Sequence, residues 1–374
     1  MIPTISTASM NSATVIDLGS YQIKVGESSD ARPAHALYSF SCVEGAEEYK
    51  LYDCESRPVI QNGQIADFDL LEQKLRQLQN YYPHMFNCVS ILQPYFIQTS
   101  ERQQLAELLF EKFSARAVHF GSQEAAACFG AGTSTGVCCD FGYGVTKTVP
   151  VVDGHCLESQ GQVCFLNGEL MGKLLVDEVS QSQNYSEYFR KLNSFKRIQL
   201  GNDLTQYFCS TSEQPIDPLQ FEYQNISQLS LPDGVKLEVN KSSQLLPEMF
   251  FNSQIYQMYS NDNLTFNSIQ YQFTQSIINQ PAQVRKELVQ NIVLVGGISK
   301  LNNLQNRFRA ELDSIFATQS LTGKPKFLQT QVDRKDLTFF GGAVVASLSV
   351  FGYFLSSAQE WKEEGITGVE RRRM

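Results

Sequence analysis

One pattern occurs twice in this chain, as Val15-Ile16-Asp17-Leu18-Gly19-Ser20-Tyr21-Gln22-Ile23-Lys24 and as Cys138-Cys139-Asp140-Phe141-Gly142-Tyr143-Gly144-Val145-Thr146-Lys147. In both, an apolar strand closes on Asp, Gly follows two positions later, and Lys stands seven positions after the Asp. Each copy reads as strand, tight Gly-bearing turn and strand, a β-hairpin. A carboxylate at the strand end and a cation beyond the turn, repeated, predict two similar halves facing one anionic ligand. At 374 residues there is room for two lobes, each with its own core.

A hairpin turn of Gly and Ser presents backbone N–H groups and a hydroxyl to phosphate, and a nearby Lys adds charge. Gly19, Ser20 and Lys24 suit that task, as do Gly142 and Gly144. Asp17 and Asp140 would repel phosphate unless a divalent cation sits between, held through waters as Mg²⁺ prefers. A third element, Asn291-Ile292-Val293-Leu294-Val295-Gly296-Gly297, is a buried strand broken at a double glycine, where backbone can approach a base or ribose closely.

Composition narrows the class. With 42% hydrophobic and 18% charged residues the chain is expected to fold, and its net charge of −9 argues against a nucleic-acid partner bound through its phosphates. Arg371-Arg372-Arg373 reads as a solvated tail. The nine Cys show neither CxxC nor zinc spacing, and Cys138-Cys139 lie inside an apolar strand. They read as reduced thiols, which implies an intracellular compartment. The sequons at Asn184, Asn225, Asn240 and Asn263 follow no signal peptide and read as accidental. Leu337 to Ser357 carries no charge, but Gly341-Gly342, Ser347, Ser349 and Gly352 and the acidic flanks Asp336 and Glu360 predict a buried junction helix, not a membrane span.

Between these landmarks, strands and helices alternate as in an α/β lobe. Residues 27 to 56 form an acidic, aromatic connection without periodicity. Asp67 caps a helix with an inward stripe of Phe68, Leu71, Leu75 and Leu78. Strand Val89–Leu92, a helix from Glu101 to Phe113, strand Ala117–Phe120 and an Ala-rich helix from Gln123 to Phe129 follow. Gly130-Ala131-Gly132 is a lobe boundary. Asn167 caps a helix to Val179, and Ser186 opens another to Leu200. Residues 201 to 265 read as an inserted, Gln/Asn-rich subdomain with a strand at 235–239. Pro281 starts a helix to Gln290, and the helix after the double glycine turns Leu304, Phe308, Leu312 and Ile315 inward.

In order along the chain, D-L-G-S-Y-Q-I-K-V-G (17–26), R-P-V-I-Q-N-G-Q-I-A-D-F-D (57–69), G-S-Q-E-A (121–125), D-F-G-Y-G-V-T-K-T-V-P-V-V-D-G (140–154), T-F-N-S-I (265–269), N-I-V-L-V-G-G (291–297), G-G-A-V-V-A-S-L-S-V-F (341–351) and E-W-K-E-E-G (360–365) resemble an actin-related protein. That family sits within the actin, sugar-kinase and heat-shock-chaperone ATPase superfamily. The resemblance is weak across 27–56 and 180–260. It implies an α/β, actin-like ATPase fold, with two ribonuclease-H-like lobes in four subdomains around a nucleotide cleft. One lobe would comprise 1–130 plus 337–374, with a small, shortened subdomain at about 39–56. The other would comprise 131–336, with a small inserted subdomain at about 167–258.

It further implies ATP or ADP with Mg²⁺ or Ca²⁺ in the cleft. By position, Ser20 and Lys24 would touch the β- and γ-phosphate region beside Gly19 and Tyr21. Gly142, Tyr143, Gly144 and Val145 would form the second phosphate loop. Gly296, Gly297 and Ile298 would flank the nucleoside, with a ribose contact from Lys196. Asp17, Gln123 and Asp140 would order the metal's waters, and Gln123, the catalytic candidate, would also lie near the attacking water.

Departures from the family pattern bear on activity. Tyr21 stands where actins have Gly, Tyr143 replaces an acidic residue, and Ile298 replaces a Thr. Lys147 replaces a His associated with the hydrolytic water, and its cation is placed either to bind the γ-phosphate or to mimic a cation in an empty site. Lys196-Arg197 matches a Lys-Glu pair with one charge reversed. The 30 residues between Gly26 and Arg57 are fewer than actins place there, in the subdomain that grips the next filament subunit. Gln254 to Asn263, at the position of the interstrand plug, is polar. The resulting expectation is a divergent, ATP-binding structural subunit of a multiprotein cytoskeletal or chromatin-associated complex, in cytoplasm or nucleus. Its partners would be other proteins, actin or actin-related proteins among them, with slow or no hydrolysis and poor self-polymerisation. The alternative is a filament-forming, actin-like ATPase. A small-molecule kinase would need a catalytic carboxylate beside its substrate, for which no motif is present.

Overall fold

The computed structural model describes residues 12–42, 48–181, 186–218, 221, 227–230, 234, 236–239, 241–260, 264–319, 321 and 323–372. Both expected hairpins are present, and each seeds a sheet. Thr14–Leu18 and Gln22–Glu27 pair antiparallel with Asp17 opposite Lys24, and Gly136–Phe141 and Thr146–Val152 pair antiparallel with Asp140 opposite Lys147.

The first sheet has six strands, in the order Ser356–Ser357, Ala117–Ser122, Val89–Gln93, Thr14–Leu18, Gln22–Glu27 and His35–Tyr38. Thr14–Leu18 runs parallel to Val89–Gln93, which runs parallel to Ala117–Ser122. In the second sheet Gly136–Phe141 lies between its hairpin partner and Ile292–Val295, which it meets in parallel; His155–Cys156 and Gln162–Cys164 extend the far side. In each sheet, then, the Asp-bearing strand has an antiparallel neighbour on one side and a parallel one on the other. Thr14–Leu18, Val89–Gln93 and Ile292–Val295 are buried throughout, as strands covered on both faces require.

The helices that cover the sheets follow their caps. Asp67 accepts a hydrogen bond from Leu70 N at 3.0 Å and opens Phe68–Tyr81, with Leu71, Leu75 and Leu78 fully buried. Asn167 does the same for Gly168–Ser180, accepting from Leu170 N at 2.9 Å. Ser122 caps Gln123–Gly130 by accepting from Ala125 N. The uncharged segment breaks into helix Leu337–Ala346, a short turn and strand Ser356–Ser357. Among the described residues no helix is long and apolar enough to cross a membrane. This helix packs on Gln123–Gly130 so closely that a Cβ at Gly130 would stand 2.6 Å from Leu337 O, and one at Gly341 would strike Ala126 O.

Several sequence expectations need correction. The helix from Ser186 breaks into Ser186–Arg190 and Ser194–Phe208, because Asn193 turns the chain out of the helix and caps a new one, accepting from Lys196 N at 2.9 Å. The helix expected from Glu101 starts at Thr99, with Leu108–Lys112 wound more loosely. Phe316 is buried beside Leu312 in Leu304–Thr318, whereas Ile315 is half-buried. Ile269–Ile278 is a helix that the residue pattern left unassigned. In the polar 254–263 segment, helix Gln254–Tyr259 exposes Met258, so the segment does show outward apolar surface; 261–263 lie outside the described residues. The strand at 235–239 is found as Lys236–Val239, paired with Ser227–Ser230. All four sequon asparagines and Arg373 lie outside the described residues, and Arg372 is not solvated as expected but buried, with Nε 2.7 Å from Glu360 Oε2.

The cysteines also differ from expectation. Cys42 and Cys54 form a disulfide, beside the two-stranded pairing of Phe40–Cys42 with Ser56–Pro58. That pairing returns the chain on itself and brings the two cysteines together, although they lie 12 residues apart in a segment without periodicity. Of the seven free cysteines only Cys156 is not fully buried. The cysteines therefore no longer argue for a reducing compartment.

Candidate functional site

Between the two sheets lies a cavity of about 810 Å³, within the range of small-molecule sites. Asp17, Gly19, Ser20, Tyr21 and Lys24 line it from the first hairpin, and Asp140, Gly142, Tyr143, Gly144, Val145 and Lys147 from the second. Gly296, Gly297 and Ile298 close a third side, and Gln123 forms part of the floor. One expected residue is elsewhere. Lys196 is not among the lining residues, and Gln199, Asn202 and Asp203 face the cavity from the same helix.

The glycines explain the close approaches. Gly296 has φ +88°, and a Cβ there would lie 2.6 Å from an Asp140 carboxylate oxygen and from the Phe141 carbonyl carbon. A Cβ at Gly297 would enter open space, so this backbone is open to a ligand. The second turn is braced from behind by the start of Gly168–Ser180. Asn167 Nδ2 donates to Gly144 O at 2.7 Å, Gly168 N to Gly142 O at 3.1 Å, and Glu169 N to Tyr143 O at 2.8 Å.

The charged floor is one connected network. Gln123 Nε2 donates to Asp17 Oδ1 at 2.9 Å and to Leu18 O at 3.0 Å. Its Oε1 accepts from Lys147 Nζ at 3.0 Å. The same ammonium lies 2.6 Å from Glu124 Oε1 and 3.1 Å from Asp140 Oδ2, with a side chain only 1% exposed. Glu124 is itself fixed, accepting from Tyr95 N at 3.0 Å. Burial pulls the Lys147 ammonium down and the Glu124 and Asp140 carboxylates push it up; the carboxylates prevail, and the group is held above the ordinary lysine range. Asp17 shows the opposite balance: burial raises its carboxyl, and Lys24 offsets this in part. Lys24 Nζ lies 3.9 Å from Asp17 Oδ2 and 3.5 Å from Asp336 Oδ1, and donates to Lys335 O.

A divalent cation fits this floor poorly. The three groups that would order its waters are each engaged: Asp17 by Gln123 and Lys24, Gln123 by Lys147, and Asp140 by Lys147. Among the described residues no cluster of His, Cys, Asp or Glu is arranged to hold a metal ion. Glu124, Asp336 and the bracing Asn167 were not singled out as site residues from sequence. Glu124 stands directly after Gln123 in the G-S-Q-E-A motif, and that adjacency was the available signal.

The two turn tyrosines, expected to alter the phosphate loops, pack on each other. The rings of Tyr21 and Tyr143 lie 4.9 Å apart, and Tyr21 also meets Tyr38 at 5.6 Å. Phe195 carries the cluster on, touching Tyr38 at 5.0 Å, Tyr52 at 5.5 Å and Phe40 at 5.9 Å. Polar contacts reinforce it: Asn193 Nδ2 donates to Leu51 O at 2.9 Å and Cys54 O at 2.7 Å, and Gln199 Nε2 to Tyr52 OH at 2.9 Å. This clasp ties residues 38–42 and 50–54, with the disulfide between them, to the helix Ser194–Phe208 across the cleft edge.

The model of the actin family matches residues 8–374. Centractin of Saccharomyces cerevisiae is 26% identical over 390 aligned positions that cover 96% of each chain. Actin-like protein 9 of Homo sapiens is 25% identical, covering 96% of this chain and 88% of its own, and Actin-related protein 4 of Arabidopsis thaliana is 24% identical, covering 87% and 81%. The chain belongs to the actin family as a divergent actin-related member, and its paired sheets around a cleft are the actin-like ATPase fold.

Proposed function

We propose that this chain is an ATP-binding structural subunit of a multiprotein assembly, cytoskeletal or chromatin-associated, with little or no ATP hydrolysis. In this reading the lobes are 1–130 with 337–374, and 131–336. The nucleotide contacts are Ser20 and Lys24 in one turn, Gly142, Gly144 and Val145 in the other, and Gly296 and Gly297 beside the nucleoside. One observation carries the argument on hydrolysis. The amide of Gln123, the group for orienting an attacking water, is held at one end by Asp17 and Leu18 and at the other by Lys147. A side chain clamped on both ends is poorly placed to follow a water through a reaction. Calorimetric titration with ATP, run beside a phosphate-release assay, tests this. The expected result is binding with release at least tenfold slower than actin under the same conditions, and actin-like turnover would refute the second half.

Poor self-polymerisation follows from the clasp. Tyr38, Leu51 and Cys54 are tied down onto the opposite helix by Phe195 and Asn193, which leaves this part of the segment less free to grip another subunit. Pelleting at high protein concentration with ATP checks this, and abundant filaments would favour the filament-forming alternative. An intracellular site, cytoplasm or nucleus, goes with the reading and is tested by imaging the tagged chain.

A further inference from the structure

We propose that the ammonium of Lys147 takes the place of a divalent cation at the base of the cleft, so that the chain binds its nucleotide as the metal-free anion. The inference deepens the nucleotide-binding reading and rests on it. Its basis is the set of groups that Lys147 gathers. The side chain is buried, lines the cavity, and contacts Asp140 and Gln123 directly and Asp17 through Gln123. These are the three groups that would otherwise order a metal's water shell. Placed among them, an ammonium satisfies the same acceptors and repels a second cation across a short, poorly screened distance.

The hairpin register sharpens the point. Lys24 holds the same place opposite Asp17 that Lys147 holds opposite Asp140, yet it is drawn sideways to Asp336 and the Lys335 carbonyl. Only Lys147 meets a further buried carboxylate, Glu124 at 2.6 Å, which fixes it in the floor. The two ammonium groups thus flank the cavity where the two turns converge, each already beside carboxylates, so the phosphates of a metal-free nucleotide would rest on the backbone N–H groups and the Ser20 hydroxyl of the turns.

The test compares ATP affinity by calorimetry in MgCl₂ and in EDTA. Affinities within about threefold of each other are expected, and a loss of tenfold or more in EDTA overturns the proposal. Lys147→Met should reverse the behaviour, binding ATP at least tenfold more weakly in EDTA than in MgCl₂. Because that variant leaves Glu124 unpaired, Lys147→Met with Glu124→Gln serves where the single variant does not fold. A separate arm needs no nucleotide: Mn²⁺ titration followed by electron paramagnetic resonance. Mn²⁺ that stays free with the native chain but is captured by either variant supports the proposal. Capture by the native chain, or by none of the three, overturns it. Absence of ATP binding in both buffers would sink the nucleotide reading, while the Mn²⁺ arm would still decide the role of Lys147.

Discussion

The two hairpins share residue spacing and register, yet their lysines do different things. Lys24 is 13% exposed at the cleft wall and has one carboxylate at 3.5 Å and another at 3.9 Å. Lys147 is sealed between Glu124 and Asp140. The strands are not the cause, since both lysines sit directly opposite the hairpin aspartate. What differs is the element behind each hairpin. Gln123–Gly130 brings Glu124 beneath the second hairpin, whereas the first hairpin faces the loop before Leu337–Ala346, which offers Asp336 at its rim. Local sequence sets the hairpin, and a distant helix sets the chemistry of its cation.

The sharpest way to break the comparison is to remove each cation in turn. Lys147→Met leaves the buried Glu124 and the half-buried Asp140 without their cation and should cost about 3–5 kcal/mol of stability. Lys24→Met removes longer ion pairs, at 3.5 and 3.9 Å, and a hydrogen bond to Lys335 O, and should cost less, about 1.5–3 kcal/mol. Urea denaturation of the two variants beside the native chain measures both. Equal losses would show that the two cations are equivalent after all.

Next in size is the clasp that joins the two turns. Phe195 is fully buried among Tyr38, Phe40 and Tyr52, so Phe195→Ala should cost about 3–5 kcal/mol. It should also raise the proteolytic sensitivity around Tyr38, Phe40 and Tyr52, the residues it pins. An unchanged cleavage pattern would mean that the segment is held without the clasp.

The two sheets also differ in how they hold a histidine. His119 is buried on the first sheet, with Nδ1 2.9 Å from Ser90 Oγ and the ring against Phe351, and burial lowers it to about 4. His155, on the second sheet, is exposed. The unfolded chain protonates His119 near its ordinary value, about 6.5, and the folded chain resists until about 4. Its contribution is therefore complete above pH 6.5 and is lost as pH falls from 6.5 to 4, by about 3 kcal/mol in all. His119→Gln should flatten that part of the stability profile. A profile equally steep in the His119 variant would assign the acid loss to other groups.

These contrasts also show how far the sequence could be read. The hairpins, the Asp67 and Asn167 caps and the strand at Ile292–Val295 were legible because each is written in consecutive residues. So were the cavity residues of the two turns, which come from those hairpins. What stayed hidden depends on contacts between distant segments. Glu124 reaches Lys147 across 23 positions, Cys42 finds Cys54 through a strand return, and Phe195 meets Tyr38 across 157 positions. Lys196 came from the family resemblance alone, and it does not line the cavity. A single helix from Ser186 was expected, but the break at Asn193 restarts the helix, and Gln199, Asn202 and Asp203 line the cavity from the new one.

The smallest effect tests whether a cap can also be a brace. Asp67 and Asn167 both cap a helix by accepting from the N–H three residues on, at 3.0 and 2.9 Å. Loss of such a cap costs about 1 kcal/mol, which is the full effect expected of Asp67→Ala. Asn167 has a second role, because its Nδ2 also donates to Gly144 O at 2.7 Å in the second turn. Asn167→Ala leaves that buried carbonyl without its donor and should cost about 2 kcal/mol. Asn167→Asp keeps the capping oxygen but removes the donor, so its cost over the native chain isolates the brace. If Asn167→Asp is as stable as the native chain and binds ATP equally well, the second turn holds its shape without help from the helix. A measurable loss of ATP affinity at little cost in stability would place that helix start among the elements that shape the phosphate side of the cleft.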